Sequence, residues 1–204
     1  MSGAQGNSPL LIELPEYLDG SRVRLRPFCA DDAPVLWEAV DESREHLAPW
    51  LPWAATYRSV DDAREFVTRA AAWWLLRQNL PVGIFERETG RLLGGCGLQG
   101  INWDLRSFEI GYWLRRTAEG SGYMSEAVQR ITLWAFDALA ANRVFIRMDV
   151  RNQRSQAVAA RLGFVHEGTL RNSLPDAEGA PRDVHVYALI REDYRGLPWA
   201  TGSE

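Results

Sequence analysis

The chain has 204 residues, 46% hydrophobic and 25% charged, which suits a single globular domain with a sizeable core. A formal net charge of -4 gives no global electrostatic reason to expect direct nucleic-acid binding. The longest apolar runs are far too short to cross a bilayer, so no membrane association is expected. Cys29 and Cys96 lack metal-ligand spacing and are expected as small buried side chains in a reduced cytoplasm, and His46, His166 and His185 show no metal-binding arrangement.

Residues 1–9 and 200–204 are rich in Gly, Ser, Asn and Pro and read as frayed ends. The expected division is an extension over 1–20, one domain over 21–195 and a tail over 196–204. A strand is predicted near 21–28, then a helix capped by Asp31 or Asp32 with Pro34 in its first turn. Residues 46–58, with two prolines and two tryptophans, read as an irregular segment. A long helix follows from about Val60 to Gln78, with Ala63, Phe66, Val67, Ala70, Trp73 and Trp74 near helical spacing. Strands are predicted near 81–87, 92–101 and 106–114. The next helix, about 122–140, carries an apolar stripe of Met124, Val128, Ile131 and Ala135. Short strands near 164–169 and 184–191 complete the pattern, with loop chemistry over 172–182. The expectation is a mixed α/β sheet with helices on both faces.

The most informative segment is 109–127, which reads as a buried strand, a turn with Gly120 and Gly122, and the start of an amphipathic helix. The first backbone N–H groups of a helix are unpaired and carry partial positive charge, and glycine lets a ligand approach them closely. Such a turn binds an anion, here a pyrophosphate, unless the glycines only make an ordinary strand-to-helix turn. A Walker-type loop needs a lysine, and all the basic residues of this chain are arginine or histidine. A dinucleotide fingerprint needs a third Gly or Ala where Ser125 stands.

A second unit follows. Arg143 to Arg151 alternates like a strand, then Asn152-Gln153-Arg154-Ser155 opens a short helix in which Val158 and Leu162 share a face. Gly163 suits the left-handed position after it, and Phe164 can fold back on the last turn. The ordered strings RVRLRPF, DDAPVLWEAV, HLAPWLPWA, FEIGYWL, GSGYMSEA, RNQRSQAVAARLGFVHEGTLR and DVHVYALIRED span about residues 20–195. Together they resemble the GNAT superfamily of acyl-CoA-dependent N-acyltransferases, and most closely its RimJ/RimL-type branch, which includes ribosomal-protein N-terminal acetyltransferases.

That resemblance implies a mostly antiparallel central sheet, splayed between the strand before and the strand after the cofactor helix. It implies transfer of an acetyl group from acetyl-CoA, or of another short acyl group such as succinyl from its CoA ester, to a primary amine, without a metal. The leading acceptor is a protein or peptide N-terminus. A small-molecule amine and a non-catalytic acyl-CoA-binding module are the alternatives, and a homodimer is left open. The backbone of Tyr112, Trp113 and Leu114 would pair with the pantetheine arm. The pyrophosphate motif, Gln/Arg-x-x-Gly-x-Gly/Ala, falls on Thr117, Glu119, Gly120, Ser121 and Gly122, with Tyr123 opening the helix. Thr117 departs from the motif's Gln/Arg.

For the chemistry, Glu109 is the candidate general base, through a water, or else a structural carboxylate bonded to a neighbouring arginine. Ser155 is the candidate donor to the departing thiolate, and Asn152 a contact to the pantetheine amides, although both residues also suit a helix cap. Relatives often place a tyrosine acid where this chain has Ala159, or a base where it has Arg147. Some ribosomal acetyltransferases use a glutamate at the place of Leu174, near Asp176 and Glu178. His46, Trp50 and Trp53 fall in the segment that lines the acceptor cleft of relatives, or else belong to the core.

Overall fold

The computed structural model describes residues 8–176 and 178–200, so most of the frayed-end expectation for 1–9 and 200–204 lies outside the described residues. Its strands are β1 (Leu18–Asp19), β2 (Val23–Pro27), β3 (Leu80–Glu86), β4 (Leu92–Asn102), β5 (Ser107–Leu114), β6 (Arg143–Asp149), β7 (Val165–Pro175) and β8 (Pro181–Ile190). They form one sheet in the order β1-β2-β3-β4-β5-β6-β8-β7. Every neighbouring pair is antiparallel except β5 with β6. The helices are α1 (Ala33–Asp41), α2 (Arg44–Leu47), α3 (Pro52–Thr56), α4 (Val60–Leu76), α5 (Tyr123–Asp137), α6 (Gln153–Arg161) and α7 (Arg191–Arg195). The parallel β5–β6 pair follows from chain direction, because α5 is the crossover that returns the chain to the same end of the sheet.

Side chains alternate across the strands and feed two cores. One face carries Leu25, Ile84, Phe108, Ile110 and Ile146 against the α5 stripe of Met124, Val128, Ile131 and Ala135, all buried as its spacing predicts. The other face gathers Phe85 and Leu92 against Leu36 and Val40 of α1 and Ala63 and Val67 of α4. Ile12 and Leu14 before the sheet, and Leu197 and Trp199 after it, also pack on the α5-side core. Helix α4 starts at a capping box, with the Ser59 hydroxyl accepting from the Asp61 N–H (3.2 Å) and Asp62 accepting from the Ser59 N–H (2.8 Å). Gly163 is left-handed (φ 80°) and the Phe164 N–H reaches back to the Ala159 carbonyl at 3.0 Å, as expected.

Four expectations are corrected. Residues 46–58 contain helical turns, the end of α2 and all of α3, because Pro52 is tolerated in a first turn. The stretch 172–182 is largely a hairpin, with Leu174 opposite Arg182 and Pro175 opposite Pro181. Its turn is held by the Asp176 carboxylate, which accepts from the Glu178 and Ala180 N–H groups at 3.0 and 2.8 Å. Pairing across the hairpin satisfies backbone groups that loop-like composition had suggested were solvated. Asp32 precedes α1 but does not cap it with its side chain. Its carboxylate binds Arg26 twice at 2.7 Å and accepts from the Cys29 N–H at 2.8 Å. Cys96 is buried as expected, whereas Cys29 is exposed, since it sits at the turn between β2 and α1.

Candidate functional site

The site begins where β5 leaves β6. The two strands pair only at Ser107, Phe108 and Glu109, opposite Arg143, Val144 and Phe145. Beyond Glu109, β5 continues to Leu114 paired with β4 alone. The backbone edge of Tyr112, Trp113 and Leu114 on the β6 side is thus left without a strand partner, and an unpaired strand edge is a template for any extended amide-bearing ligand. The sheet is splayed where the resemblance placed the opening.

Glu109 sits at the vertex of the splay, buried to 6% exposure. Arg147 on β6 donates to it twice, Nε to Oε1 at 3.0 Å and Nη2 to Oε2 at 2.8 Å. Alternation turns both side chains to the α4 side of their strands, so a buried charge is matched across the gap by a two-point ion pair. The partner that the sequence left as an unspecified arginine is therefore Arg147. Each carboxylate oxygen keeps a further lone pair, so the pair does not exhaust the capacity of Glu109 to accept a proton or a water.

On the α5 side lies the turn. Gly120 and Gly122 are left-handed, with φ of 75° and 81°, and Gly122 is the residue immediately before α5. The first N–H bonded within the helix is that of Glu126, to the Gly122 carbonyl at 3.2 Å, so the N–H groups ahead of it face the turn. Arg22 braces the turn from β2's approach, donating to the Ser121 carbonyl at 2.8 Å and pairing with Glu126 at 3.0 Å. A Cβ at Gly122 would stand 3.3 Å from Arg22 Nη2 in a backbone conformation that side chains disfavour. The cradle therefore depends on glycine, as an anion site built from backbone does. Thr117 is turned away, donating to Glu42 (3.1 Å) and accepting from Arg91 (3.0 Å). Tyr123 donates to Glu86 at 2.6 Å, so its phenol is occupied outside the cradle and only its backbone belongs to the turn. Glu119 faces His46 Nε2 at 2.6 Å and also pairs with Arg154 of α6.

Across the splay, Asn152 caps α6 by accepting from the Ser155 N–H at 3.1 Å. The Ser155 hydroxyl is buried and lies 2.7 Å from the Tyr112 hydroxyl. This bond joins β5 to α6 over the gap. Burial pushes the Tyr112 phenol well above its ordinary range, so it stays a neutral hydroxyl, and either hydroxyl of the pair can be the donor. Nearby, Asp149 closes the C-terminal end of β6. A side-chain bond from Arg151 is the main influence holding its carboxyl below the usual range, with Arg182 3.6 Å away.

The acceptor-side residues divide. Trp53 lines a cavity of about 620 Å³ on the α4 face, with Tyr57, Phe66 and Trp73 above and Gly111 and Trp113 below. His46 faces the cofactor turn through Glu119. Trp50 is outside the cavity lining, and its carbonyl accepts from Arg182 Nη2 at 3.2 Å, tying the α2–α3 connection to β8. Sequence reading did not anticipate the Tyr112 hydroxyl, Arg182 or the α4 residues Asp62 and Trp73. Only the helical spacing of Trp73 hinted at a buried face. Leu174 stands in the β7–β8 hairpin, and Asp176 serves the turn. Among the described residues, no cluster of three or more His, Cys, Asp or Glu side chains is arranged to hold a metal ion. No described helix is long and apolar enough to cross a membrane.

A splayed sheet, a glycine turn before α5 and a buried serine bonded across the gap are the arrangement that the resemblance to acyl-CoA-dependent acyltransferases implies. Residues 22–165 match the family model described as an acetyltransferase (GNAT) domain, and the chain belongs to that family. YdaF of Bacillus subtilis (strain 168) is 33% identical over 168 residues, covering 81% of this chain and 89% of its own length. The ribosomal-protein-serine acetyltransferase of Escherichia coli (strain K12) is 29% identical over 157 residues, 76% of this chain and 85% of its own. Among solved structures, RimL, a ribosomal L7/L12 alpha-N-protein acetyltransferase in complex with coenzyme A, superposes with a TM-score of 0.79 at 26% identity, covering 86% of this chain and 98% of that one. The chain is an N-acetyltransferase of RimJ/RimL-like type that uses acetyl-CoA.

Proposed function

We propose that the enzyme acetylates the α-amine of a protein or peptide N-terminus. The observation that carries this reading is that the cavity and the splay share one strand. The α4-side cavity reaches Gly111 and Tyr112 on the very strand whose other edge is open at the splay. An extended acceptor can thus enter from one face while the cofactor lies along the other. The relatives named for ribosomal-protein acetylation support the choice of a peptide over a small-molecule amine or a non-catalytic role.

Bound acetyl-CoA supplies an activated acetyl thioester. The backbone at Gly120, Ser121, Gly122 and Tyr123 would hold its pyrophosphate, and the open edge at Tyr112, Trp113 and Leu114 its pantetheine amides, with Thr117, Glu119 and Asn152 acting through the shape of the turn and of the α6 start. Glu109, through a water, would take the proton that the neutral amine sheds as it attacks, while Arg147 remains its charge partner. Ser155, oriented by Tyr112, donates a hydrogen bond to the departing thiolate. An N-terminal amine has an ordinary pKa near ~8 against ~10.4 for lysine, so far more of it is already neutral at physiological pH and a single carboxylate suffices. Trp53 lines the acceptor path, and His46 and Trp50 shape its rim through Glu119 and Arg182. The domain runs over 21–195, and the flanks 1–20 and 196–204 add β1, Ile12, Leu14, Leu197 and Trp199 to its sheet and core; the enzyme works in the cytoplasm.

Incubation with acetyl-CoA and a panel of unblocked peptides, N-blocked lysine peptides, polyamines and aminoglycosides tests the reading. CoA release is expected with unblocked peptides. Release with the small amines alone, and none with any peptide, overturns it.

A further inference from the structure

The cavity has a character of its own beyond its place in the reaction. Its walls are aromatic, with the Trp53 ring standing edge-on to Trp113 (5.9 Å, 71°) and to Tyr57 (5.5 Å, 60°), and Phe66 and Trp73 facing it from α4. Its floor runs over Gly95, Gly97 and Gly111, with the Trp113 indole lying on Gly95 and the Gln99 amide on Gly111. A Cβ at Gly95 would meet the Trp113 indole nitrogen at 2.6 Å, so the missing side chain is what lets that ring lie against the sheet. About 620 Å³ gives room for a large ring, whereas a serine or alanine side chain would leave the aromatic walls in contact with water.

Its charges point the same way. Asp62, Glu65 and Arg69 are the charged groups of the lining. Arg69 is paired with Glu65. The Asp62 carboxyl is held below the usual range chiefly by the backbone N–H of Arg58, with that of Ser59 beside it, so it is ionised at neutral pH. The rim is net negative and its cation is already engaged. That field attracts an ammonium and opposes a second carboxylate.

Resting on the N-terminal reading above, we propose that this cavity receives the first side chain of the acceptor and selects a bulky apolar one, aromatic above all, on a chain without a free carboxylate next to the amine. Edge-to-face aromatic contacts and burial of the ring supply the preference.

Peptides identical except for the first residue (Phe, Trp, Leu, Ala or Ser) test this with acetyl-CoA as donor, together with phenylalanine and phenylalanine amide. kcat/KM is expected to be about 10- to 100-fold higher for Phe or Trp than for Ser, the range that burying one large apolar side chain provides. Phenylalanine amide should exceed free phenylalanine. Trp73→Ala should collapse the Phe-to-Ser ratio toward unity, and Trp53→Leu supplies the same comparison if the first variant does not fold. Equal rates for all first residues, a preference for Ser or Ala, or an unchanged ratio in the variants overturns the proposal while leaving N-terminal acetylation standing. Acetylation of small amines with no peptide modified overturns the underlying reading as well.

Discussion

The cofactor turn and the aromatic cavity flank the same strand, β5, yet they are made in opposite ways. The turn is a run of consecutive residues that presents backbone N–H groups and two left-handed glycines. Nearly any side chain is compatible with it except at the glycines themselves. The cavity is made of side chains from Trp53, Phe66, Trp73 and Trp113, which come from three separate elements. With the roles proposed above, the contrast teaches that binding a common cofactor needs only local geometry, whereas choosing an acceptor needs a surface assembled from distant parts of the chain.

The contrast can be broken most sharply at the vertex between the two regions. Glu109→Gln keeps a hydrogen-bonding group beside Arg147 but removes the proton acceptor. Turnover is expected to fall by about 100-fold or more, the usual cost of losing a general base, while acetyl-CoA still raises the melting temperature. Turnover near the parental rate would leave Glu109 as a structural partner of Arg147 alone.

The next largest effect belongs to the turn. Gly122→Val forces a branched side chain into φ 81° and toward Arg22. At a cofactor concentration of 100 times its Kd, the parent gains about 2.7 kcal/mol of stability, and the variant is expected to lose that gain. Gly90→Val is the matched control, since Gly90 has φ 71°, open space around it and no contact with the site. It should carry a similar backbone cost and retain the stabilisation by acetyl-CoA in a thermal melt. Equal loss in both variants would show strain rather than cofactor contact.

The smallest expected effect sharpens the chemistry at the gap. Removing the Tyr112 hydroxyl in Tyr112→Phe should lower kcat by about 2- to 10-fold, the worth of one hydrogen bond, with KM for acetyl-CoA little changed. If Tyr112 acts by orienting Ser155, the Tyr112→Phe/Ser155→Ala double variant should be no slower than Ser155→Ala alone. Independent, multiplying losses would separate the two hydroxyls.

Much of the cofactor side was legible because its signals are local. Gly120 and Gly122 before an amphipathic stripe, and Asn152 before Ser155, place a helix start by rules that span only a few residues. The partner of Glu109 was not legible, because Arg147 lies on another strand and its register is set only when β5 and β6 pair. His46 was assigned to the acceptor path from its segment alone, and its contact with Glu119 was not legible because it depends on the packing of α2. The β7–β8 hairpin was shortened in the reading for a related reason. Asn, Pro, Asp and Gly mark turns locally, and long-range pairing overrode that preference for all but the central residues.

By itself the sequence determined the order of elements, the two glycine positions, the α5 stripe and the family resemblance, since each rests on spacing or on neighbours within a turn or two. Tertiary structure decided that β5 and β6 part after Glu109, that Tyr112 bonds Ser155 across the gap, and that aromatic rings from separate elements share one cavity with Asp62 in its lining. Those outcomes depend on strand register and helix docking, which bring together groups that hydrophobic periodicity places on a face but cannot pair.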